Sequence, residues 1–140
     1  MTKLLFKWTL LSILIGAMAG TASYAFLISV NTVIKYRQAH QWIIIFLPFV
    51  GVLVTWFYDR FGKGVDGGNN LILDEIHNPK KHIPLRMVPM IFVSAVLSHL
   101  FGASVGREGA AVQMGAGLSD QFSKYAGGYF NNRKIILMMG

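Results

Sequence analysis

Glu108 is the residue of this chain whose type and surroundings most clearly predict chemistry. It stands in Gly106-Arg107-Glu108-Gly109, after the uncharged stretch 87–106 and before a run of small and apolar residues, AAVQMGAGLS. Ionisable groups inside a membrane cost about 2.5 to 3.5 kcal/mol on translocon scales and are functional by default. We therefore predict a functional role for Glu108. The alternative is that Arg107 and Glu108 only join helices to one another.

Two glycine-rich segments predict short helices that would position such a site. The first holds Gly62, Gly64, Gly67 and Gly68 and continues as Asn69-Asn70-Leu71-Ile72; the second holds Gly102 and Gly106 and continues through Glu108. At about 1.5 Å per residue, AAVQMGAGLS covers only about half the hydrocarbon thickness of a bilayer. Discontinuous helices whose positive N-terminal ends face a common site bind anions in many transporters. A solvated loop is the alternative for the first segment.

A carboxylate beside a helix N-terminus offers a mechanism for gating. The amides of such a terminus stabilise an anion, so Glu108 and an inorganic anion would compete for the same place. Protonation of the carboxylate would release the amides to the anion. The same competition would couple proton movement to anion movement.

Composition predicts an all-α, polytopic integral membrane protein with discontinuous half-helices. Hydrophobic residues make up 54% of the chain and charged residues 14%, whereas an average soluble domain has about 25% charged residues. A membrane helix needs about 20 apolar residues, and three stretches approach or exceed that length, at 8–34, 41–58 and 87–106. We expect half-helices after Asn69 and Glu108 and no separate soluble domain within 1–140. A cleaved signal peptide is the alternative for the first stretch, although its apolar region would be shorter.

The basic residues predict orientation rather than nucleic-acid binding. The net charge is +7, but the basic side chains lie between the apolar stretches and not on one face. The positive-inside rule favours a cytoplasmic N-terminus, because this places seven basic residues inside and two outside. Those inside are Lys3, Lys7, Arg60, Lys63, Lys80, Lys81 and Arg86; those outside are Lys35 and Arg37. We expect a multi-pass protein of the cell (inner) membrane that contacts the lipid bilayer.

The remaining polar residues predict no enzyme, no metal site and no cofactor. His40, His77 and His82 have no metal-ligand spacing, and the chain has no cysteine. No nucleophile motif or phosphate-binding loop occurs. His99 is expected to be packed or bonded to a neighbouring helix, with a proton relay as the alternative. Asp74-Glu75 is expected to be solvated, with cation binding as the alternative.

The sequence around Glu108 resembles a known family. Gly106-Arg107-Glu108-Gly109 is similar to the GREGP signature of CLC chloride channels and proton-coupled antiporters, with Ala110 in place of the usual proline. The resemblance implies that helices B to F of that family fall on this chain in order. It implies that Glu108 is the gating glutamate, that Gly106, Arg107, Gly109 and Ala110 bind the anion, and that the protein is a homodimer.

The other filter segment of that family departs from its usual form here. The family commonly has GSGIP, whose serine touches the anion, whereas this chain has Gly68-Asn69-Asn70-Leu71-Ile72. This form resembles the fluoride-exporting branch, which implies anion binding by Gly68, Asn69 and Asn70. Asn69 would offer two N–H donors in place of one hydroxyl. The expected function is proton-coupled transport of chloride or fluoride; a channel without proton coupling and a non-transporting membrane scaffold are the alternatives.

The C-terminal residues predict a truncation, and a fragment of a longer protein and a truncated gene product are both consistent with it. The apolar run IILMMG begins a helix that would stop at Gly140. The resemblance implies that later segments, which carry a phenylalanine and commonly a tyrosine, complete the anion pathway. We therefore expect that these 140 residues alone do not transport.

Overall fold

The computed structural model describes residues 2–65, 67–78, 82–125 and 131–140, and these residues form an all-α fold. The α-helices are α1 (Thr2–Ala39), α2 (Leu47–Phe61), α3 (Gly68–His77), α4 (Met87–Leu100), α5 (Arg107–Asp120) and α6 (Asn131–Met139). Two 3-10 segments, Gln41–Phe46 and Gln121–Tyr125, precede α2 and follow α5. No strand occurs among these residues. Lys80 and Lys81, two of the basic residues used above to predict orientation, lie outside them.

Helix α1 is much longer than the predicted stretch 8–34. At about 1.5 Å per residue, its 38 residues extend over roughly 57 Å, well beyond the roughly 30 Å hydrocarbon core of a bilayer. From Leu5 onward, its buried residues form a narrow stripe, namely Ile15, Ala19, Phe26 and Val30. These positions share one helix face, and most other large apolar side chains of α1 are exposed. The rest of the helix surface therefore suits lipid or further protein.

Residues 41–58 lie within one helical stretch, Gln41–Phe61, whose first turns differ from the rest. Gln41–Phe46 is a 3-10 helix, and α2 begins only at Leu47, with Pro48 in its first turn. Proline lacks an amide hydrogen and has a φ angle suited to a helix start, so it is tolerated at this position. Pro48 thus lies where the α-helical part of this stretch begins.

The predicted stretch 87–106 contains a helix that ends early. α4 stops at Leu100, and Gly102 has a φ angle of +100°, which favours glycine. An added Cβ at Gly102 would also lie 3.2 Å from Cγ1 of Ile44. Residues 101–106, which connect α4 to α5, therefore form no regular helix. Among the described residues, Leu5–Ala39 and Gln41–Phe61 are the helical stretches long and apolar enough to cross a membrane by length and composition.

Helices α3 and α5 are short, and α5 lies at the centre of the fold. α3 has 10 residues and α5 has 14, so α5 extends about 21 Å. α5 packs against α1, α3, α4 and α6. Its buried positions are mostly small, which permits close approach, and a Cβ on Gly117 would lie 3.0 Å from Cγ2 of Val88 on α4. Met87, Met90 and Met114 fill the core between these helices.

Candidate anion-binding site

The two glycine-rich segments place glycine at the N-cap of both short helices. Gly67 precedes α3 and Gly106 precedes α5, and neither helix start has a side-chain capping bond. Glycine has no side chain that could form one. The first amides of a helix have no intrahelical acceptor, and the helix dipole adds partial positive charge there. Both N-termini therefore carry partial positive charge that favours an anion. At α3, however, the N–H of Gly68 donates to the carbonyl oxygen of Val65 and that of Asn70 to the carbonyl oxygen of Gly67.

These two N-termini lie side by side. A Cβ on Gly109, in the first turn of α5, would stand 3.1 Å from Nδ2 of Asn69, in the first turn of α3. Gln113, one turn further along α5, donates from Nε2 to Oδ1 of Asn69 at 2.9 Å. The left-handed φ of +52° at Gly68 starts α3 at this point. The structure thus brings Asn69 and Gly109 together from residues 40 apart in sequence.

A pocket of about 380 Å³ lies at this junction. α3 and α5 contribute Asn69, Gly109, Ala110 and Gln113, and Val105 and Gly106 come from the segment before α5. The remaining lining residues are Val54 and Tyr58 of α2 and Ile91, Ser94, Ala95 and Ser98 of α4. None of these lining residues carries a formal charge. Amide and hydroxyl groups and the two helix N-termini are therefore what the pocket offers to an anion.

Glu108 is exposed in the first turn of α5, between Gly106 and Gly109 in the sequence. Its neighbours Gly106 and Gly109 line the pocket, but Glu108 itself does not. No hydrogen bond joins its carboxylate to another of the described residues. The carboxylate is therefore beside the pocket and not held by a bond to the rest of the described fold.

Arg107 is turned away from the pocket toward α1. Its Nη1 donates to Oδ1 of Asn31 at 3.3 Å, and it is not a lining residue. Of the other residues predicted to bind an anion, Asn69, Gly106, Gly109 and Ala110 line the pocket. Gly68 and Asn70 do not, although a Cβ on Gly68 would lie 3.7 Å from Nε2 of Gln113.

His99 and the Asp74-Glu75 pair do not line the pocket. His99 is buried on α4, and its Nδ1 lies 2.7 Å from the carbonyl oxygen of Ala95, to which it donates. The expectation of a solvated Asp74-Glu75 pair is wrong for Glu75, which is 6% exposed. Helix geometry explains the difference, because Glu75 follows the buried Ile72 by three residues and shares its face. Among the described residues, no group of three or more His, Asp or Glu is arranged to hold a metal ion.

Glu75 belongs to a buried ionic cluster that the sequence did not predict. Arg133 of α6 donates from Nε and Nη2 to the two carboxylate oxygens of Asp120 and from Nη1 to Oε2 of Glu75 at 2.8 Å. The backbone N–H of Ile83 donates to Oδ2 of Asp120 at 2.6 Å, and Nδ1 of His82 lies 3.5 Å from the same oxygen. The sequence signal that could have indicated this cluster was an acid, Asp120, at the end of an uncharged helical run.

The sequence analysis also did not identify Gln113 as a residue of the pocket, although it follows Gly109 by four residues on the same helix face.

Two short helices without side-chain caps that meet at one pocket, beside two helical stretches apolar enough to cross a membrane, are the arrangement expected of a membrane channel or transporter. Residues 50–140 match the family model described as voltage gated chloride channel. Since that match covers more than half of the chain, the chain belongs to the voltage-gated chloride channel family, the CLC family.

Relatives and a solved structure agree with this assignment. Over 134 residues the chain is 52% identical to a chloride/fluoride channel protein of Pseudomonas syringae pv. tomato, covering 96% of this chain and 30% of the relative. An uncharacterised protein of Methanocaldococcus jannaschii is 26% identical over 138 residues, covering 96% of this chain and 32% of that protein. The crystal structure of a CLC-type fluoride/proton antiporter matches with a TM-score of 0.90 at 33% identity, covering 97% of this chain and 34% of the other. The chain thus spans about a third of the length of these relatives.

Proposed function

We propose that the full-length protein containing this chain transports small anions, fluoride foremost, across a membrane in exchange for protons. The observation that carries the proposal is the contact between Asn69 and Gly109, which joins two uncapped helix N-termini at one uncharged pocket. The relatives support it, since one is described as a chloride/fluoride channel protein and another as a fluoride/proton antiporter.

Glu108 has the role of the gate in this proposal. Its side chain is exposed beside the pocket. In this proposal the ionised carboxylate moves to the first-turn amides of α5 that an inorganic anion would use, so the two exclude one another. Protonation removes the negative charge and favours anion entry, and release of the anion favours return of the ionised carboxylate. One residue then links proton movement to anion movement.

The test is efflux from liposomes that contain the full-length protein and are loaded with fluoride or chloride. Anion efflux is followed with ion-selective electrodes and proton uptake with a pH electrode. We expect wild-type efflux with proton uptake, and loss of that coupling in Glu108→Gln and Glu108→Ala. Asp59→Asn, an exposed acid in the last turn of α2, is the matched control and should transport as the wild type does.

The outcomes separate the proposal from its alternatives. Unchanged flux and coupling in both Glu108 variants would remove the gating role. Anion efflux without proton uptake by the wild type would indicate a channel, and no efflux by the intact full-length protein would favour a scaffold. Fluoride preference that survives Asn69→Ser would remove the basis for choosing fluoride over chloride.

We also propose the orientation and assembly of the protein. It lies in the cell (inner) membrane with its N-terminus in the cytoplasm, and it forms a homodimer. Since these 140 residues contain no cysteine, single cysteines at Gln38 and Lys63 can be labelled with an impermeant maleimide, after replacement of any cysteine elsewhere. We expect labelling of Gln38→Cys in intact cells and of Lys63→Cys only after permeabilisation. The reverse pattern would invert the topology, and a detergent-solubilised mass of one chain would contradict the dimer.

A further inference from the structure

The hydrogen bond between Gln113 and Asn69 determines which way the Asn69 side chain presents its amide. Gln113 donates from Nε2 to Oδ1 of Asn69 at 2.9 Å, so the oxygen end of the Asn69 amide faces along α5 toward Gln113. The nitrogen end faces the first turn of α5: a Cβ on Gly109 would lie 3.1 Å from Nδ2 and 4.0 Å from Oδ1. The donors of Asn69 are therefore directed to the helix start that carries Glu108.

An asparagine amide can be turned by 180° with almost no change of shape. One orientation presents two N–H donors, and the other presents an oxygen that only accepts. An anion is attracted by the first and repelled by the second. A donor that binds the oxygen favours the first orientation. Gln113 is also an amide with both a donor and an acceptor end, and in this structure its donor end, Nε2, is the one that faces Asn69.

We propose that Gln113 is a positioning residue that fixes the Asn69 amide with its N–H groups toward the anion and thereby sets the preference for fluoride. This inference rests on the proposed function, in which Asn69 binds the anion. Gln113 acts through Asn69 and needs no contact of its own with the ion.

Fixed donors matter most for the anion that is hardest to dehydrate. Fluoride is small and binds water strongly, so it enters the pocket only where protein donors are already oriented. Donors oriented in advance avoid the entropic and reorganisation cost of turning at the moment of binding. A larger anion with weaker hydration tolerates an amide that rotates. Loss of the Gln113 bond should therefore weaken fluoride binding more than chloride binding.

The experiment compares apparent affinities of the full-length protein for fluoride and chloride in liposome efflux. Gln113→Met keeps the length of the side chain but removes the donor, and we expect about a tenfold weaker fluoride affinity, the equivalent of one lost hydrogen bond. The chloride affinity should change by about threefold or less. Gln113→Glu is the stronger change, because a carboxylate can only accept and would turn the oxygen of Asn69 toward the anion.

Gln121 supplies a matched control near the other end of α5. Its Nε2 donates to the carbonyl oxygens of Ile83 and Gly117, away from the pocket. Gln121→Met removes donor bonds of the same chemical kind and should leave the fluoride-to-chloride ratio within about twofold of the wild type. An equal shift of the ratio in Gln121→Met and Gln113→Met would indicate a general effect of weakened packing, and would overturn the proposal.

A double-substitution cycle separates this inference from the proposed function. If Gln113 acts through Asn69, Gln113→Met has no further effect on fluoride affinity in the Asn69→Ala protein. The same loss in both backgrounds would overturn the inference and leave the role of Asn69 intact. An Asn69→Ala protein with unchanged fluoride affinity would instead refute the anion-binding role of Asn69, and the inference with it.

Discussion

Arg133 and Asp120 are joined by two parallel hydrogen bonds, from Nε to Oδ1 at 2.7 Å and from Nη2 to Oδ2 at 3.0 Å. A further bond of the guanidinium reaches Glu75 in the last turns of α3, while Asp120 is the last residue of α5. One cation therefore connects the C-terminal parts of the two short helices whose N-termini form the pocket.

Substitution of Arg133 by Gln is expected to destabilise the protein strongly. It leaves Glu75 and Asp120 buried without their shared guanidinium, and breaking a buried ionic arrangement by removing one partner costs about 3–5 kcal/mol. The measurement is the midpoint of thermal unfolding of the full-length protein in detergent. Arg133→Lys should have an intermediate midpoint, since an ammonium lacks the planar fork that engages both acids.

Arg60→Gln is the control for the Arg133 substitution, because Arg60 is exposed in the last turn of α2. Its midpoint should stay close to that of the wild type. A midpoint for Arg133→Gln equal to that of Arg60→Gln would show that the buried cluster adds no stability.

Substitution of Gly109 by Ala is expected to impair fluoride transport more than stability. The new methyl group would lie 3.1 Å from Nδ2 of Asn69 and would push the amide out of place. We expect at least a tenfold loss of fluoride efflux rate, while alanine itself suits the first turn of a helix. The matched variant is Gly51→Ala, whose methyl group meets no atom within 4 Å. Equal efflux by the two variants would contradict the close approach of α3 to α5.

Position 68 should tolerate substitutions in an order set by backbone conformation. Gly68 has a φ of +52°, a region that costs most residues about 1–2 kcal/mol and asparagine less. Space does not limit the site, because a Cβ would make only ordinary contact with Gln113, at 3.7 Å. We expect unfolding midpoints in the order Gly, Asn, Ala, Val. A valine variant as stable as the wild type would show that φ is not positive at this residue.

The contact between α4 and α5 at Gly117 predicts a compensating pair. A Cβ at Gly117 would lie 3.0 Å from Cγ2 of Val88, so Gly117→Ala should lower stability by about 1–3 kcal/mol, as overpacking does. Val88→Ala removes that Cγ2. The double variant should therefore be more stable than the sum of the two single changes indicates. Simple additivity of the three unfolding free energies would contradict direct contact at this position.

The sequence predicted the helical class of the fold and the two short helices well, because both signals are local. Apolar length, glycine and an isolated glutamate are visible in a single stretch of sequence, and they led to Asn69, Gly109 and Glu108. The end of α4 at Leu100 was missed because uncharged residues continue through Gly106 while the backbone turns at Gly102.

The ionic cluster could not be predicted because its members are far apart in the chain. Glu75 and Arg133 are separated by 58 positions, and each looks like an ordinary polar residue among polar neighbours. Gln113 was missed for a related reason. Its role depends on the partner that α3 brings to it, and an uncharged amide in an apolar helix is by itself a weak signal.

The dependence of Asn69 on both Gln113 and Gly109 has a consequence for how such a protein can diverge. A serine at position 69 would be too short to receive the hydrogen bond from Gln113, which would leave that amide without its acceptor. A substitution at position 69 that changes the anion preference thus also removes a hydrogen bond to Gln113 of α5. We expect lineages that alter one of these positions to alter the other as well, so that selectivity is inherited as a pair of residues.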